Sequence, residues 1–337
     1  IKTLFVYNSD IANCTPNSGN VRKGMMRDDL FITVHETFWT DSCMYADIIL
    51  PADTALERTD CHWAYGSWFL GINKPVIEPL GESINNTELF RMLADKMGYV
   101  DSTDNAFTQT DEEIIKDILL EAENEDGERF NCLTEGIDYD DVVKNGWARA
   151  STGSKRRDFL KNGWPTPSGK IEIKCEAITA EYPDVSPFPE YVPEINGQYD
   201  PNKEKFPIQV LSSASHYFIG DSFQSVPRLQ AMQSRPTVEI SLGDAKARGI
   251  EDGDLVRLYN DNGETYCYAV LIEGLLDGVC ATQKQFKGSN TPGGLNVNNL
   301  NSEMLTDFGK SPTFYSVLVE IEKASEEMTK KAIKQGV

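Results

Sequence analysis

Short apolar runs separated by turn residues open the chain. TLFVY, LFITV and ADIIL each have the length of a β-strand, and a basic helix is predicted near Val21–Arg27 between the first two. Uniformly apolar strands joined through helices or loops are typical of a mostly parallel sheet that is covered on both faces. In such sheets, ligands bind at the carboxyl ends of the strands. Asn8, His35, Glu36 and the segment after Leu50 occupy that edge, so the sequence predicts a ligand site there.

Two longer helices are predicted after residue 60. The stretch NTELFRMLADKMG predicts an amphipathic helix with its N-cap at Asn86 or Thr87 and its end at Gly98. A second helix is predicted over TDEEIIKDILLEA, where Thr110 and Glu113 have the spacing of a capping box. These helices indicate that the parallel sheet gives way to a mixed α/β region.

The mixed region ends in a proline-rich linker. GKIEIKC, at residues 169–175, has the alternation of a strand. Five prolines between Pro183 and Pro201 then predict a stiff and extended segment over residues 182–204. We therefore expect the mixed region to span residues 61–204 and the main domain boundary to lie in this linker.

Strand-length runs dominate the chain after residue 204. Six of them lie between FPIQVLSS and SVLVEIE, separated by turn signals such as Asp261-Asn262-Gly263, and SLGDAKARG is a helix among them. This pattern predicts a small closed barrel over residues 205–322. A charged helix is expected over residues 323–337, after the barrel.

Composition and charge exclude several classes of protein. Acidic residues outnumber basic ones by 53 to 32, and the net charge of −21 repels a nucleic-acid backbone. One acidic run, EAENEDGE, lies at residues 121–128. No apolar run approaches the roughly 20 residues that span a bilayer, so no membrane span is expected. A nucleic acid is therefore not expected as a partner.

Cysteine usage points to a reducing compartment. The seven cysteines are odd in number and never form a C-x-x-C pair, which predicts free thiols rather than disulfides or a metal site. The expected location is the cytoplasm. The alternative that a signal upstream of this chain directs export of a longer protein stays open.

The segment after Leu50 carries both signs of charge. Pro51 ends the preceding strand, and Glu57, Arg58 and Asp60 follow closely. Two interpretations remain from these residues alone, namely hydrogen bonds to a polar ligand and an ion pair at the end of a strand.

Three motifs give the chain a resemblance to a known family. VHETFWTDSCMYADIILPADTALERTD resembles the late part of the molybdopterin domain of the dimethyl-sulfoxide-reductase family. SLGDAKARGIEDGDLVRLYNDNG is similar to the dinucleotide-binding barrel of that family, and GGLNVNNLNSEMLTDFGKSPTFYSVLVEIE to its closing segment. The resemblance implies an α/β plus β-barrel fold. We expect a Rossmann-like parallel sheet over residues 1–60, the mixed segment, and a six-stranded barrel of the double-psi type.

The resemblance also implies a cofactor. In this family, molybdenum or tungsten is held between two molybdopterin guanine dinucleotides, and this chain matches the positions that grip one of them. Glu36 matches an acidic contact to ribose or guanine, Arg58 a phosphate contact and Asn86 a guanine contact. The full set of expected cofactor-binding residues is Asn8, His35, Glu36, Arg58, Asn86, Ser213, His216, Ser222, Phe286, Asn298 and Tyr315.

The same resemblance places part of the machinery outside this chain. The chain opens in a strand, so we expect it to be the C-terminal fragment of a molybdenum or tungsten oxidoreductase. The metal-ligating residue and any iron–sulfur cluster are expected upstream, with no catalytic residue and no metal ligand in the fragment. The fragment is therefore expected to be inactive alone. Its expected partner is the N-terminal part of the same polypeptide, and the resemblance also allows an electron-transferring iron–sulfur subunit.

Two other functions are weighed against this one. A non-catalytic module that binds a nucleotide or another subunit is the alternative. A nicotinamide dehydrogenase is disfavoured, because no G-x-G-x-x-G motif follows any predicted strand.

Overall fold

The computed structural model describes residues 1–99, 107–119, 137–149, 163–164 and 166–335. The chain divides into two compact units, of which unit 1 comprises residues 1–50 and 192–337 and unit 2 comprises residues 51–191. Within unit 1, we call residues 1–50 the sheet lobe and residues 192–337 the barrel lobe.

The first half of the described chain contains both strands and helices, and strands dominate the second half. The strands are β1 (Thr3–Tyr7), β2 (Phe31–Glu36), β3 (Ile48–Pro51), β4 (Asp60–His62), β5 (Phe69–Asn73), β6 (Trp147–Arg149), β7 (Ile208–Ser213), β8 (Thr237–Ser241), β9 (Leu255–Tyr259), β10 (Glu264–Ile272), β11 (Val279–Gln283) and β12 (Leu318–Lys323). The helices are α1 (Ile11–Cys14), α2 (Ser18–Met25), α3 (Asn86–Met97), α4 (Asp111–Leu119), α5 (Tyr139–Asn145), α6 (Glu176–Glu181), α7 (Pro227–Met232), α8 (Leu242–Arg248) and α9 (Glu326–Gln335).

The sheet lobe is a three-stranded sheet in the order β1–β2–β3. The predicted parallel arrangement is confirmed for β1 and β2, which pair from Thr3 with Phe31 to Tyr7 with His35. β2 is the central strand and four of its six residues are buried, as expected for an apolar strand between two neighbours. Because β1 and β2 are parallel, the loops that follow them leave the sheet at the same edge.

The barrel lobe is a closed six-stranded barrel, which confirms the predicted architecture. Its strand order is β10–β8–β11–β7–β12–β9, with parallel pairs β10/β8 and β11/β7 and antiparallel pairs elsewhere. Alternating residues fill the interior, and Val256 and Leu258 on β9 have no exposed surface. Burying each such side chain stabilises the fold by about 1.5–3 kcal/mol. The closed core gives the loops at the barrel ends a rigid base.

Unit 2 contains an antiparallel sheet in the order β4–β5–β6. Leu70 and Ile72 of β5 pack in one apolar core with Ile115 of α4 and Val142 of α5. The predicted capping box begins α4, since the backbone N–H of Thr110 donates to the Glu113 carboxylate at 2.7 Å. The reciprocal bond, from Glu113 N–H to Thr110 Oγ1, measures 3.3 Å.

Two local predictions in unit 2 are wrong. The N-cap of α3 is Asn85, because its side-chain oxygen accepts from the backbone N–H of Glu88 at 2.7 Å. The strand predicted at residues 169–175 does not form. Ile171 and Ile173 are 67% and 69% exposed, so the alternating pattern has no buried face to occupy.

Some predicted features fall outside the described residues. They are the acidic run at residues 121–128, the end of the second predicted helix beyond Leu119, and Cys132. Six cysteines in the described ranges are free thiols, namely Cys14, Cys43, Cys61, Cys175, Cys267 and Cys280. Among the residues that the structure describes, no helix is both long enough and apolar enough to cross a bilayer.

Candidate functional site

A polar cleft lies at the carboxyl ends of β1 and β2, within unit 1. Asn8 follows β1 with a positive φ of 51°, which turns the chain sharply away from the strand. Glu36 is the last residue of β2, and its carboxylate accepts from the backbone N–H of Thr37 at 2.9 Å. The parallel register therefore brings residues 8–10 and 36–40 to the same wall of the cleft.

The barrel lobe supplies the opposite wall, through the loop after β7 and the turn after β11. Together the two lobes enclose about 610 Å³, within the usual range for a small-molecule site. The cleft is defined by its lining residues, which are Asn8, Ser9, Asp10, Cys14, Glu36, Thr37, Phe38, Trp39, Thr40, Ile219, Asp221, Ser222, Phe223, Ser225 and Lys287.

Gln224 ties the two barrel segments of the cleft together. Its side chain is 1% exposed, and Nε2 donates to the backbone oxygens of Gly220 at 2.9 Å and Gln285 at 2.8 Å. Oε1 accepts from the backbone N–H of Lys287 at 2.6 Å. The amide oxygen and nitrogen of Gln224 are both hydrogen-bonded. They fix the backbone of both segments, because moving either segment would leave a buried polar group without a partner. The barrel wall of the cleft is therefore held in place.

A buried asparagine cluster joins the sheet lobe to the barrel lobe. Asn13 has no exposed surface, and its Oδ1 accepts from Asn296 Nδ2 at 2.6 Å and from the backbone N–H of Gly288 at 3.1 Å. The backbone oxygen of Asn13 accepts from Asn298 Nδ2 at 2.9 Å. These bonds hold the sheet lobe and the barrel lobe together, so the loops that line the cleft from the two lobes are tied to a common buried junction.

An almost buried ion pair reinforces this junction. Arg22 Nη2 lies 3.0 Å from Asp41 Oδ2, and the two side chains are 14% and 4% exposed. The same guanidinium donates to the backbone oxygens of Ala12 and Gly294, each at 2.7 Å. Asp41 also accepts from the backbone N–H of Ser289 at 3.1 Å. Arg22 and Asp41 thus link α2, the turn after β2 and the barrel lobe.

Asp10 is a buried carboxyl group at the floor of the cleft, 3% exposed. It accepts from Ser42 Oγ at 2.6 Å and from the backbone N–H of Ser42 at 2.9 Å. The pKa of Asp10 is raised to about 6, mainly by burial, with a smaller contribution from the charges of Asp41 and Asp221, and the bonds from Ser42 oppose the shift. Asp10 therefore holds a proton at a higher pH than an exposed aspartate.

Cys14 lines the cleft beside these carboxyl groups. Burial, together with the charges of Asp221 and Asp10, raises the pKa of the Cys14 thiol well above its usual range. The thiol is protonated at neutral pH, so it acts as a small polar wall residue and not as a nucleophile. Within the described ranges, no group of three or more His, Cys, Asp or Glu side chains is arranged to hold a metal ion.

Three of the residues predicted as cofactor contacts line the cleft. Asn8 and Glu36 stand on the wall formed by the sheet lobe, and Ser222 stands on the wall formed by the barrel lobe. Asn8 and Glu36 were predicted because ligands bind at the carboxyl ends of parallel strands. Ser222 came from the resemblance alone.

The other predicted residues do not line the cleft, and their contact with a cofactor stays a prediction. His35, Phe286 and Asn298 are buried, with exposed fractions of 0%, 3% and 2%. Phe286 packs edge-to-face on Phe218, with ring centroids 6.0 Å apart. On the surface of the barrel lobe lie three more, namely Ser213, His216 and Tyr315.

The remaining two, Arg58 and Asn86, belong to unit 2. Arg58 Nη1 lies 2.7 Å from Asp53 Oδ1, and Arg58 Nε lies 3.3 Å from Asp60 Oδ2. The carboxylate of Glu57 accepts from the backbone N–H groups of Thr54 and Leu80, each at 2.6 Å. The charged side chains after Leu50 therefore bond to one another and to nearby backbone groups, which agrees with the ion-pair interpretation of this segment.

Several lining residues were missed from the sequence. Among them are the residues with ionisable or aromatic side chains, namely Asp10, Cys14, Phe38, Trp39, Asp221, Phe223 and Lys287. Phe38 and Trp39 lie two and three residues after Glu36, in the loop that leaves β2, so the rule that ligands bind at strand-end loops would have found them had it been applied to the whole loop. Asp221 and Lys287 carry no local signal, because only closure of the barrel brings their two loops together.

Unit 1 therefore belongs to the class of proteins in which strand-end loops of a parallel sheet and loops of a closed barrel line one polar cleft. Family models support a specific assignment. The model described as molybdopterin oxidoreductase matches residues 1–96, and the model described as molydopterin dinucleotide binding domain matches residues 208–318. The chain belongs to the molybdopterin oxidoreductases of the dimethyl sulfoxide reductase family.

Individual relatives agree with this assignment. The chain is 34% identical to the probable oxidoreductase YoaE of Bacillus subtilis, over 96% of this chain and 44% of that protein. It is 27% identical to the dimethyl sulfoxide reductase DmsA of Escherichia coli, over 96% of this chain and 42% of that protein. The chain thus spans less than half the length of these relatives.

A solved structure supports the fold. Acetylene hydratase from Pelobacter acetylenicus superimposes with a TM-score of 0.72, covering 96% of this chain and 44% of that one. At 19% sequence identity, the likeness concerns the fold alone.

Proposed function

We propose that the cleft of unit 1 binds the guanosine end of a molybdopterin guanine dinucleotide, and that the chain serves a molybdenum- or tungsten-dependent oxidoreductase. The observation that carries this proposal is the position of Glu36. Its carboxylate ends a parallel strand and lines a cleft of about 610 Å³ that the dinucleotide-binding barrel closes. A carboxylate at this place accepts from two ribose hydroxyls or from two guanine N–H groups.

The lining residues fit the polar and aromatic parts of such a ligand. Phe38, Trp39 and Phe223 are 54%, 61% and 49% exposed, so their rings are available to stack on a purine. Asn8 and Ser222 offer hydrogen-bonding groups on opposite walls. Because the asparagine cluster already holds these walls, the ligand meets a preformed site and little ordering opposes binding.

The chemistry would come from the metal cofactor, and the residues of this chain would bind and orient it. When bound, the cofactor supplies two-electron redox chemistry or oxygen-atom transfer. In the proposal, a second dinucleotide, the metal ligand and any iron–sulfur cluster belong to the rest of a longer polypeptide, and the chain alone is inactive. An electron-transferring iron–sulfur subunit is a further proposed partner.

Exposed apolar residues on the sheet lobe support a partner for this chain. Phe31, Ile48 and Ile49 lie on β2 and β3 and are 47%, 44% and 37% exposed. Parallel sheets are normally covered on both faces, so such residues favour coverage by additional chain.

Elemental analysis of the cofactor-loaded full-length protein tests the redox assignment. Absence of both molybdenum and tungsten would favour the alternative, a module that binds a nucleotide without catalysing a reaction.

Replacing Glu36 by glutamine tests the assigned site. A neutral amide keeps the shape but loses the charge-assisted acceptor, so we expect the affinity for guanosine diphosphate to fall at least about tenfold. Isothermal titration calorimetry of the whole chain measures the change. Glu273→Gln, on an exposed turn of the barrel lobe, is the matched control and should bind as the unaltered protein does. Equal affinity of the Glu36→Gln variant and this control would show that the guanosine site is wrongly placed.

A further inference from the structure

The cleft carries an excess of negative charge. Asp10, Glu36 and Asp221 line it, and among the lining residues Lys287 is the single cation. A dinucleotide adds the negative charge of its phosphates, and like charges at close range destabilise a complex in a partly dehydrated site. An anionic ligand therefore needs a positive partner here, and Lys287 is the lining residue that can provide it.

The backbone around Lys287 is fixed. Its N–H donates to Gln224 Oε1 at 2.6 Å, and its carbonyl oxygen accepts from Thr291 Oγ1 at 2.9 Å. The neighbouring Gly288 lies so close to Arg22 that a Cβ atom there would clash with Arg22 Nη2. The turn thus requires glycine after Lys287, and it leaves the lysine side chain as the movable part.

The ammonium group of Lys287 has a weak partner. Nζ donates to the backbone oxygen of Trp39 at 3.0 Å. Within the described part of the chain, no carboxylate oxygen lies within 4.0 Å of it, in contrast to Lys205 and Lys323, which form ion pairs. A neutral carbonyl is a poorer acceptor for an ammonium group than a phosphate oxygen, because only the latter gains a charge-assisted bond.

We propose that Lys287 anchors the phosphate group of the nucleotide in the cleft, exchanging the Trp39 carbonyl for a phosphate oxygen. This role rests on the proposed function, since it concerns the same ligand. Because Lys287 now tethers residue 39 to the barrel lobe, the exchange also releases the backbone of the loop after β2. The indole of Trp39, already 61% exposed, is then free to adjust to the base.

The test compares ligands with and without phosphate. Binding of guanosine diphosphate, guanosine and inorganic pyrophosphate to the whole chain is measured by calorimetry, for the unaltered protein and for Lys287→Gln. We expect the affinity for guanosine diphosphate to fall about tenfold and the affinity for guanosine to stay unchanged. The dependence of the diphosphate affinity on salt concentration should also weaken, because one charge contact is lost. Inorganic pyrophosphate should bind the unaltered protein more tightly than Lys287→Gln, because it carries the phosphate charge without the nucleoside.

Two further variants secure the interpretation. Lys284→Gln removes a charge three residues away that does not line the cleft, and it should leave both affinities unchanged. Lys287→Arg keeps the charge and should restore most of the diphosphate affinity. If Lys287→Gln weakened guanosine as much as guanosine diphosphate, or weakened neither, the phosphate role would be overturned while the proposed function stood. Failure of the unaltered protein to bind any of these ligands would overturn both.

Discussion

Replacing Arg22 by methionine will lower the free energy of unfolding of unit 1 by roughly 3–5 kcal/mol. The Asp41 side chain, 4% exposed, would keep its charge but lose its guanidinium partner. The carbonyl oxygens of Ala12 and Gly294 would lose a donor in the same change. Methionine fills a similar volume, so the effect comes from the uncompensated polar groups and not from a cavity. Urea unfolding of the whole chain measures it, with hydrogen exchange of barrel peptides to assign the loss to unit 1.

Arg27→Met is the matched control for this prediction. Arg27 pairs with Asp29 at 2.8 Å, but both side chains are about half exposed, so water compensates for the lost contact. Almost no change in stability is expected. Similar losses in the two variants would show that the Arg22–Asp41 pair does not hold the lobes together.

Asp10 should make the stability of unit 1 depend on pH. Its pKa is raised to about 6 by burial, against a usual value of 3.8, so the folded protein binds the proton more tightly than the unfolded chain. The resulting contribution to stability is fully present below about pH 4, and it is lost as the pH rises through about 6. A difference of about two pKa units corresponds to roughly 3 kcal/mol.

The variant Asp10→Asn tests this dependence. Asparagine stays neutral and its oxygen can still accept from Ser42, so the variant should gain stability relative to the unaltered protein, by roughly 3 kcal/mol, between pH 4 and pH 7. Urea unfolding of both proteins at several pH values gives the difference. An unchanged difference across this range would contradict the raised pKa.

Asp29→Asn provides a control of opposite sign. Bonds from Arg27 and Lys2 lower the pKa of Asp29 to about 2. Its stabilising contribution is present above about pH 4 and is lost as the pH falls toward 2. Because the Arg27–Asp29 pair is about half exposed, this variant should lose only a little stability at neutral pH, and that small difference should disappear in acid.

Local rules predicted those parts of the fold that depend on neighbours in sequence. The capping box of Thr110 and Glu113 formed as expected, and Gly98 ends α3 with a φ of 76°. Alternation in LVRLY placed Val256 and Leu258 in the barrel core. The same rules failed at residues 169–175, because alternation produces a strand only where a neighbouring strand pairs with it.

The same distinction applies to the residues of the site. Some of them could be predicted from a short stretch of sequence, whereas others depend on contacts between distant parts of the chain. Asn8 and Glu36 could be predicted, since the end of an apolar parallel strand is itself a sequence feature. Asn298 was expected from the resemblance to contact a cofactor, and that contact stays a prediction; only the structure shows that its amide nitrogen donates to the backbone oxygen of Asn13, 285 positions earlier in the chain. No local pattern contains that partner.

The sequence by itself determined the class of fold, the family and the edge of the sheet where the cleft lies, because apolar periodicity, caps and motif order are all written in short stretches. Tertiary structure decided which side chains face the cleft and which are used in holding it open. Lys287 reaches Trp39 across 248 positions, and Asn296 reaches Asn13 across 283. Such pairs form only when barrel closure brings the loops together, since buried polar groups must then find partners wherever the chain has placed them.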